Sequence, residues 1–343
     1  MSARRADSSR KRTSWQSFCC KKDERRIRLK HSTETVSPYI RNHSSVQRIM
    51  ISILAALAPA VLTGWMSFGF RALMLLGITV GTAILSELLY RAVTGKRQTV
   101  HDLSAAVTGL LLGLTLPPDF PLWKAAVGSI FAIVCVKQFF GGIGKNFANP
   151  AATAKILLMV LFMNDMTVWR LPQSGEVVTQ TPLTGAFATY WDLFLGNTAG
   201  NLGETSALCI LLGAGFLWLT GTASPAAPLS CLGSFALLTA LGGYDVPSQL
   251  FSGSLMFGAC FMTTDYTTTP VTRSGKCIFG IGCGVLTFLI RHFGGYPEGI
   301  TFAIVIMNLL TPWIEKLTKP HPFGMTEEPK PNGKKRKKFA KTV

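Results

Sequence analysis

The feature that most constrains this chain is a stretch of about 270 residues, 49–315, that is strongly apolar and carries almost no net charge. It contains 12 lysines and arginines against 11 aspartates and glutamates, and leucine, alanine, glycine, isoleucine, phenylalanine and methionine dominate it. A soluble domain of this length would carry many more charges on its surface. The stretch predicts an all-α polytopic membrane protein and excludes a basic nucleic-acid-binding globule, a disordered protein and a secreted disulfide scaffold.

The formal charge of +17 comes from two basic tails. Residues 1–48 carry 13 lysines and arginines against 4 acids, and residues 316–343 carry 9 against 2. The first tail has no apolar run, so no cleavable signal peptide is expected and the first hydrophobic span must act as the targeting element. Both tails are predicted to be solvated, with contact to anionic lipid as the alternative.

A helix that crosses a bilayer needs roughly 17–25 apolar residues, and the chain offers ten candidates, with nine as the fallback count. Several are shorter than 18 residues and bordered by glycine or proline, which is typical of buried or broken helices. The first transmembrane half, 49–163, holds the candidates Ile49–Phe68, Ala72–Tyr90, Asp102–Leu116, Leu122–Phe140 and Pro150–Met163. The second half, 204–315, holds Thr205–Gly221, Ala226–Leu241, Ser248–Met262, Lys276–Ile290 and Ile300–Ile314.

The distribution of basic residues predicts the orientation, because cytoplasmic flanks retain lysine and arginine. With ten spans, both basic tails are cytoplasmic and the polar loop 164–203 faces outward. A short match aligns Asp102-Leu-Ser-Ala with Glu204-Thr-Ser-Ala. If each half has five spans, the second half is inverted relative to the first.

Two polar interruptions, residues 140–155 and 261–276, lie beside apolar spans and contain the steps Asn149-Pro150 and Thr269-Pro270. Proline lacks an amide donor and disfavours helix in the preceding residue, so backbone carbonyls near Asn149 and Thr269 are freed. At membrane depth such groups persist only around a buried site or a wet cavity. The two segments therefore predict a cofactor or ion site, and ordinary loop punctuation is the alternative.

Few acids lie near the spans, and each is a candidate because a desolvated charge is costly. Asp265 and Glu87 are candidates for an ion path, although Glu87 is equally well explained by a simple ion pair with Arg91. Asp102 and Glu204 each open a span and are predicted to cap a helix.

Six of the eight cysteines lie in the central region, and none has CxxC spacing or a histidine at metal-ligand spacing. They are predicted to be small apolar packing residues rather than ligands of a metal or an iron–sulfur cluster.

Several long motifs carry a family resemblance. SPYIRNHSSVQRIM, FGGIGKNFANPAATAK, LFLGNTAGNLGETSAL, TTDYTTTPVTRSGK and FGGYPEGITFAIVIMNLLTP follow one another between residues 37 and 317. In these motifs the chain resembles the D subunits of the Rnf ion-translocating electron-transport complex and, more distantly, the B subunits of the sodium-translocating NADH:quinone oxidoreductase. The resemblance implies a membrane flavoprotein of ten helices in two inverted halves with broken helices.

In that family a flavin transferase attaches FMN through its phosphate to a threonine in an outward-facing loop. The comparable stretch here is Glu176–Leu183, and its Thr-Pro-Leu ending makes Thr181 the acceptor, with Thr179 and Thr184 as alternatives. The stretch departs from the family pattern: a glutamate replaces the aspartate, and one residue is missing between the two threonines. The polar loop is a plausible place for a phosphoester because its hydroxyls are expected outside the bilayer.

Three aromatic residues, Trp169, Tyr190 and Trp191, flank the acceptor stretch. They are expected to belong to an interfacial aromatic belt. The alternative is that they stack on the flavin ring.

The resemblance further implies a translocase subunit that is not catalytically complete alone. It would relay electrons through covalent FMN in a complex coupling ferredoxin and NAD to sodium or proton transport, with iron–sulfur and other flavin subunits as partners. A second, non-covalent flavin such as riboflavin is possible, and the expected location is a bacterial or archaeal plasma (inner) membrane. The alternatives are a small-solute channel or secondary transporter with an inverted-repeat fold, and a purely structural subunit.

Overall fold

The computed structural model describes residues 45–96, 98–172, 175–184, 188–294 and 298–319. Nearly all of both basic tails lies outside the described residues, so the predictions for 1–48 and 316–343 stay predictions. Helices account for most of the described chain.

Helical structure coincides with every predicted span. The first group comprises α1 (Val46–Phe68), α2 (Phe70–Val93), α3 (Ser104–Leu114), α4 (Leu122–Phe131) and α5 (Pro150–Leu161). The loop that follows contains α6 (Met163–Met166), β1 (Trp169–Arg170), β2 (Val177–Val178) and α7 (Tyr190–Leu195). The second group comprises α8 (Ala207–Leu219), α9 (Ala226–Leu241), α10 (Val246–Phe251), α11 (Leu255–Phe257), α12 (Arg273–Phe293) and α13 (Ile300–Thr318).

Four helices, α1, α2, α12 and α13, are long and apolar enough to cross a membrane. The helices α3, α5, α8 and α9 are shorter but also apolar, as expected for helices buried among others. The prediction of an all-α polytopic membrane protein is confirmed. The inverted relation of the two halves stays a prediction.

Two π-helical segments, which the sequence did not predict, lie where the apolar spans meet the two polar interruptions. Ala132–Gln138 continues α4, and Gly258–Met262 continues α11. A π-helix widens the turn and is frequently found at functional sites. Each apolar span therefore changes its helical geometry where it meets its polar segment.

Close backbone contacts join the two helix groups. α1 packs against α8, and α5 packs against α13. A Cβ atom added at Gly213 of α8 would collide with the carbonyl oxygen of Ala56 in α1. Small residues permit this approach, as is usual between helices in membranes.

The tightest pair of helices within the second group is α9 and α12. A side chain at Gly280 or Gly284 would collide with backbone carbonyls of α9, and Ser234 Oγ of α9 donates a hydrogen bond of 3.4 Å to Ile281 O of α12. Cys231 is buried at this contact. These small residues form the packing surface between the two helices.

The prediction that the central cysteines are buried packing residues is only partly right. Cys231, Cys260 and Cys283 are buried, but Cys135 and Cys277 are exposed. In a membrane helix an exposed face is expected to meet lipid, and a cysteine is apolar enough to lie there.

The predicted helix caps at Asp102 and Glu204 are wrong. Asp102 ends a short 3-10 turn, and the N-cap of α3 is Leu103, whose φ is 59°. The N-cap of α8 is Ser206, whose hydroxyl accepts from Cys209 N at 3.4 Å. A serine nearer to the first turn therefore takes the capping role, and Glu204 makes the contacts described below.

The polar loop is anchored to the helix groups at both ends. Arg170 Nε of β1 donates to Asp119 Oδ2 at 2.9 Å. At the other end, Leu202 N donates to Leu116 O at 3.1 Å and Gly203 N donates to Leu114 O at 2.8 Å. These two bonds satisfy carbonyls at the end of α3, and they hold the chain immediately before Glu204.

Candidate functional site

The predicted flavin acceptor, Thr181, lies immediately before a 3-10 turn, Pro182–Thr184, in the polar loop. It lines a small cavity of about 20 Å³. Thr179 lines a cleft of about 510 Å³. Pro182 borders both spaces. Thr184 is the last residue of the same turn.

The larger cleft, bounded by β2 and the segment after α7, has the size of a cofactor site. Its walls combine apolar Leu171 and Val178 with polar Asp192, Asn197 and Thr198. Ligand pockets usually measure roughly 300–1,000 Å³ and place a few polar groups among apolar ones. The residues of the loop therefore fit a flavin ring beside a threonine hydroxyl.

The three aromatic residues near the loop differ in their surroundings. Trp169 is buried, and its Nε1 donates to Asn201 Oδ1 at 3.2 Å, so it anchors β1. Trp191 is 70% exposed, as expected of a residue at an interface. Tyr190 is also exposed, and its hydrogen bond to the Asp245 carboxylate raises the pKa of the phenol.

The two polar interruptions meet at a second cavity, of about 80 Å³. Asn149 and Asp265 both line it, together with Lys137 from the first π-helical segment. Asn149 caps α5 by accepting from Ala151 N at 3.0 Å, and its Nδ2 donates to Met262 O at 3.4 Å. One side chain thus joins the start of α5 to the end of the second π-helical segment.

Thr269, the other residue predicted for this site, lies in an adjoining cleft of about 560 Å³. Its hydroxyl donates to Thr263 O at 2.8 Å. Asp265, Arg273 and Lys276 line the same cleft. The structure therefore brings Asn149 and Asp265 to one cavity and places Thr269 and Asp265 on the next.

Asp265 is held by threonine hydroxyls rather than by a cation. Thr267 Oγ1 donates to its Oδ1 at 3.2 Å, and Thr268 Oγ1 donates to its Oδ2 at 3.1 Å. Within the described ranges no lysine, arginine or histidine nitrogen lies within 4.0 Å of this carboxylate. Its negative charge is therefore available to a cation that enters either cavity.

Glu87, by contrast, is fully buried among donors. Its Oε2 accepts from Lys137 Nζ at 3.0 Å, and its Oε1 accepts from Gln138 Nε2 at 2.8 Å and Thr99 Oγ1 at 2.9 Å. Lys137 Nζ also donates to Ser104 Oγ at 2.7 Å. The structure thus favours the ion-pair interpretation of Glu87.

The partner that was expected for Glu87, Arg91, lies on the same helix with its Nε 3.6 Å from the carboxylate. This distance is longer than that to Lys137, so the main pairing is between helices rather than within α2. The carboxylate links α2 to the π-helical continuation of α4.

A second buried charge cluster lies where α5 meets the polar loop. Lys155 Nζ is 3.1 Å from Glu204 Oε1 and 2.7 Å from Glu298 Oε2. Asn201 Nδ2 is placed 2.6 Å from Glu204 Oε2 and 2.8 Å from Glu298 Oε1. The cluster joins three separate parts of the chain beside the cavity that Thr181 lines.

Sequence reasoning missed the two lysines, Lys137 and Lys155, that organise these clusters. The signal was present, because each lies inside an apolar span where an ammonium group must find a buried partner. The sequence does not indicate which acid each lysine pairs with, because Lys137 is 50 residues from Glu87 and Lys155 is 49 from Glu204.

Comparison with known proteins gives a consistent result. The model of the NQR2, RnfD, RnfE family matches residues 33–324. The D subunit of a sodium-translocating ferredoxin:NAD oxidoreductase complex from Acetobacterium woodii is 41% identical over 86% of this chain and 96% of its own length.

Two further relatives are also named as D subunits of such complexes. The D subunit of a proton-translocating ferredoxin:NAD oxidoreductase complex from Clostridium ljungdahlii is 38% identical over 88% of this chain and 98% of its own length. The D subunit of an ion-translocating oxidoreductase complex from Stutzerimonas stutzeri is 36% identical over 84% of this chain and 95% of its own length.

Proposed function

The chain belongs to the NQR2, RnfD, RnfE family, and from this premise we propose that it is the flavin-carrying subunit of an ion-translocating ferredoxin:NAD oxidoreductase complex. It is a subunit of a translocase and not a complete enzyme alone. The observation that carries the flavin proposal is the polar loop, where Thr179 lines a cleft of about 510 Å³ and Pro182, the residue after Thr181, borders the same cleft.

FMN would be joined through its phosphate to Thr181, with Thr179 and Thr184 as alternatives, by a separate flavin transferase. Bound FMN would supply one- and two-electron chemistry. The chain itself would fix the ring between β2 and the stretch 192–199, where Asp192 and Asn197 offer polar contacts. A covalent tether keeps the ring at one position for electron transfer between iron–sulfur and flavin subunits.

The loop would face outward and both basic tails would face the cytoplasm of a bacterial or archaeal cell. The large excess of lysine and arginine in the tails supports this orientation. The tails would contact membrane lipid through the same charges.

A second, non-covalent flavin such as riboflavin is proposed for the space around the two polar interruptions. The cavity at Asn149, about 80 Å³, is small for a flavin ring. The adjoining cleft at Thr269, about 560 Å³, is large enough, and Arg273 and Lys276 add positive charge. In this proposal Thr269 contacts the second flavin. Asn149 does not contact it but holds the carbonyl oxygen of Met262 through its hydrogen bond.

The ion path would include Asp265, which lines both spaces. Glu87 would act on the path indirectly, by holding Lys137 at the wall of the Asn149 cavity. Sodium is the ion named for the relative from Acetobacterium woodii, and the proton is the one named for the relative from Clostridium ljungdahlii.

The covalent flavin is tested by denaturing electrophoresis with in-gel flavin fluorescence, in a host that expresses the transferase. We expect a fluorescent band that disappears in Thr181→Ala and persists in Thr179→Ala, the matched control two residues away. A band that persists in Thr181→Ala and disappears in Thr179→Ala would identify Thr179 as the acceptor instead. A dark band from the unaltered chain would refute covalent attachment and favour a flavin-free channel or transporter.

A further inference from the structure

The buried cluster of Lys155, Glu204 and Glu298 has a feature that the flavin proposal does not use. Both carboxylates converge on one ammonium group, and Asn201 Nδ2 bridges their other oxygens. Lys155 and Glu204 are almost fully enclosed, and Glu298 has 13% of its side chain exposed. Isolated charges in such a place would be very costly, so their pairing is obligatory.

Beside the cluster lies the cavity of about 20 Å³ that Thr181 also borders. Two hydroxyl-bearing residues in its wall, Thr205 and Ser252, are only 3% and 2% exposed. Neither Thr205 Oγ1 nor Ser252 Oγ has a hydrogen-bond partner among the described residues. Buried hydroxyls are almost always satisfied, so these two point to an occupant of the cavity.

The volume of the cavity limits its occupant to one water molecule or one dehydrated ion. A single water needs roughly 10–15 Å³ of such space, so the cavity has no room for a hydrated ion. The residues in its wall that carry side-chain oxygens include Glu204, Glu298, Thr205 and Ser252. Carboxylate and hydroxyl oxygens suit a hard cation and repel an anion.

The charges around the cavity explain how such a cation could bind and be released. Lys155 pairs with Glu204 and Glu298, and Arg291 Nη2 donates to Ser252 O at 3.1 Å. The two cations thus balance the two acids when no ion is present. An arriving cation must compete with the Lys155 ammonium for the carboxylate oxygens.

We propose that this cavity binds one dehydrated sodium ion and that Lys155 is a resident counter-ion that competes with it. The ion would be coordinated by Glu204 and Glu298 together with the hydroxyls of Thr205 and Ser252. Its role in transport rests on the proposed function, because the same cavity borders the flavin acceptor. Binding itself depends only on the cluster.

The proposal predicts opposite effects for the two sides of the ion pair. Lys155→Gln removes the competing charge and leaves two carboxylates, so sodium should become a stabilising ligand. We expect the thermal unfolding temperature of the purified Lys155→Gln complex to rise by several degrees when sodium replaces choline at equal ionic strength. Potassium should raise it less. In Glu298→Gln, which keeps the Lys155–Glu204 pair but removes one carboxylate from the cavity wall, the sodium-specific rise should be absent.

Asp165→Asn serves as the matched control, because this acid pairs with Lys124 outside the cluster. It should respond to sodium as the unaltered complex does. If Lys155→Gln assembles and shows no difference between sodium and choline, the cavity holds only water and the proposal is wrong.

If Lys155→Gln does not assemble, equilibrium binding of radioactive sodium to the unaltered and Glu298→Gln complexes decides the question. The proposal requires one bound sodium fewer in the variant, and equal binding overturns it. In-gel flavin fluorescence on the same samples keeps the two proposals separate, since a lost sodium site with a retained flavin band, or the reverse, identifies which one fails.

Discussion

At the scale of single residues, the contacts of Glu87 explain how a carboxylate can be buried among apolar helices. It accepts hydrogen bonds from three side chains, including the Lys137 ammonium. Removing one partner of a buried ion pair leaves an uncompensated charge and costs about 3–5 kcal/mol.

Lys137→Met should therefore lower the stability of the complex strongly, by about 3–5 kcal/mol. Adding Glu87→Gln to that variant should restore much of the loss, because the buried carboxylate that lost its ammonium partner is then neutral. Thermal unfolding of the two variants in the same membrane preparation measures the difference. If the double variant is as unstable as the single one, the ion pair is not what stabilises this contact.

Asp265 is the acid in the best position to meet a moving cation, because threonine hydroxyls hold it and it borders two cavities. Asp265→Asn keeps its size and removes its charge, so ion transport should fall by more than the flavin content does. Transport into vesicles that contain the whole complex measures this, with Asp102→Asn as the control acid. Equal transport in Asp265→Asn and the unaltered complex would remove Asp265 from the ion path.

At the scale of helices, the contact between α1 and α8 depends on the absence of a side chain at Gly213. Gly213→Ala would push a methyl group into the Ala56 carbonyl, and such overpacking costs about 1–3 kcal/mol. Gly215, two residues along the same helix, has nothing within 4 Å of an added Cβ. Gly215→Ala should therefore be neutral or slightly stabilising, since alanine favours helix.

Both variants would be heated in detergent, and the fraction that still elutes as folded protein in size-exclusion chromatography would be measured. The contact predicts a clear loss for Gly213→Ala and none for Gly215→Ala. Similar behaviour of the two variants would contradict the close approach of α1 and α8.

Hydropathy placed the helices well, because burial in lipid or protein demands apolar residues whatever the neighbours are. Each predicted span, from Ile49–Phe68 to Ile300–Ile314, coincides with helical structure. The π-helical segments and the caps were not predictable in this way. Whether Asp102 and Glu204 cap a helix depends on local geometry and on distant partners such as Lys155, which a single sequence does not reveal.

The candidate site was predictable to the same limited extent. The Asn149 and Asp265 segments could be expected to meet, because proline steps free backbone groups that need a shared polar environment. Thr181 came from a family resemblance rather than from physical reasoning. The Lys155 cluster, built from residues 49 and more apart, needed the three-dimensional fold.

At the scale of the whole molecule, two helix groups enclose polar sites that α5 connects. Asn149 begins this helix beside the Asp265 cavity, and Lys155 extends from it to the cluster at the Thr181 cavity. A single short helix therefore links the proposed ion path to the proposed flavin loop.

The most direct test of this account is the side of the membrane on which the flavin loop lies. A cysteine introduced at Gln180, an exposed residue beside Thr181, would be probed in intact cells with a membrane-impermeant thiol reagent, against the unaltered chain as background. A cysteine at Lys319, in the second basic tail, is the control. The account predicts that Gln180→Cys is labelled in intact cells and Lys319→Cys only after the cells are opened. Labelling of both positions only in opened cells would place the loop with the tails and contradict the account.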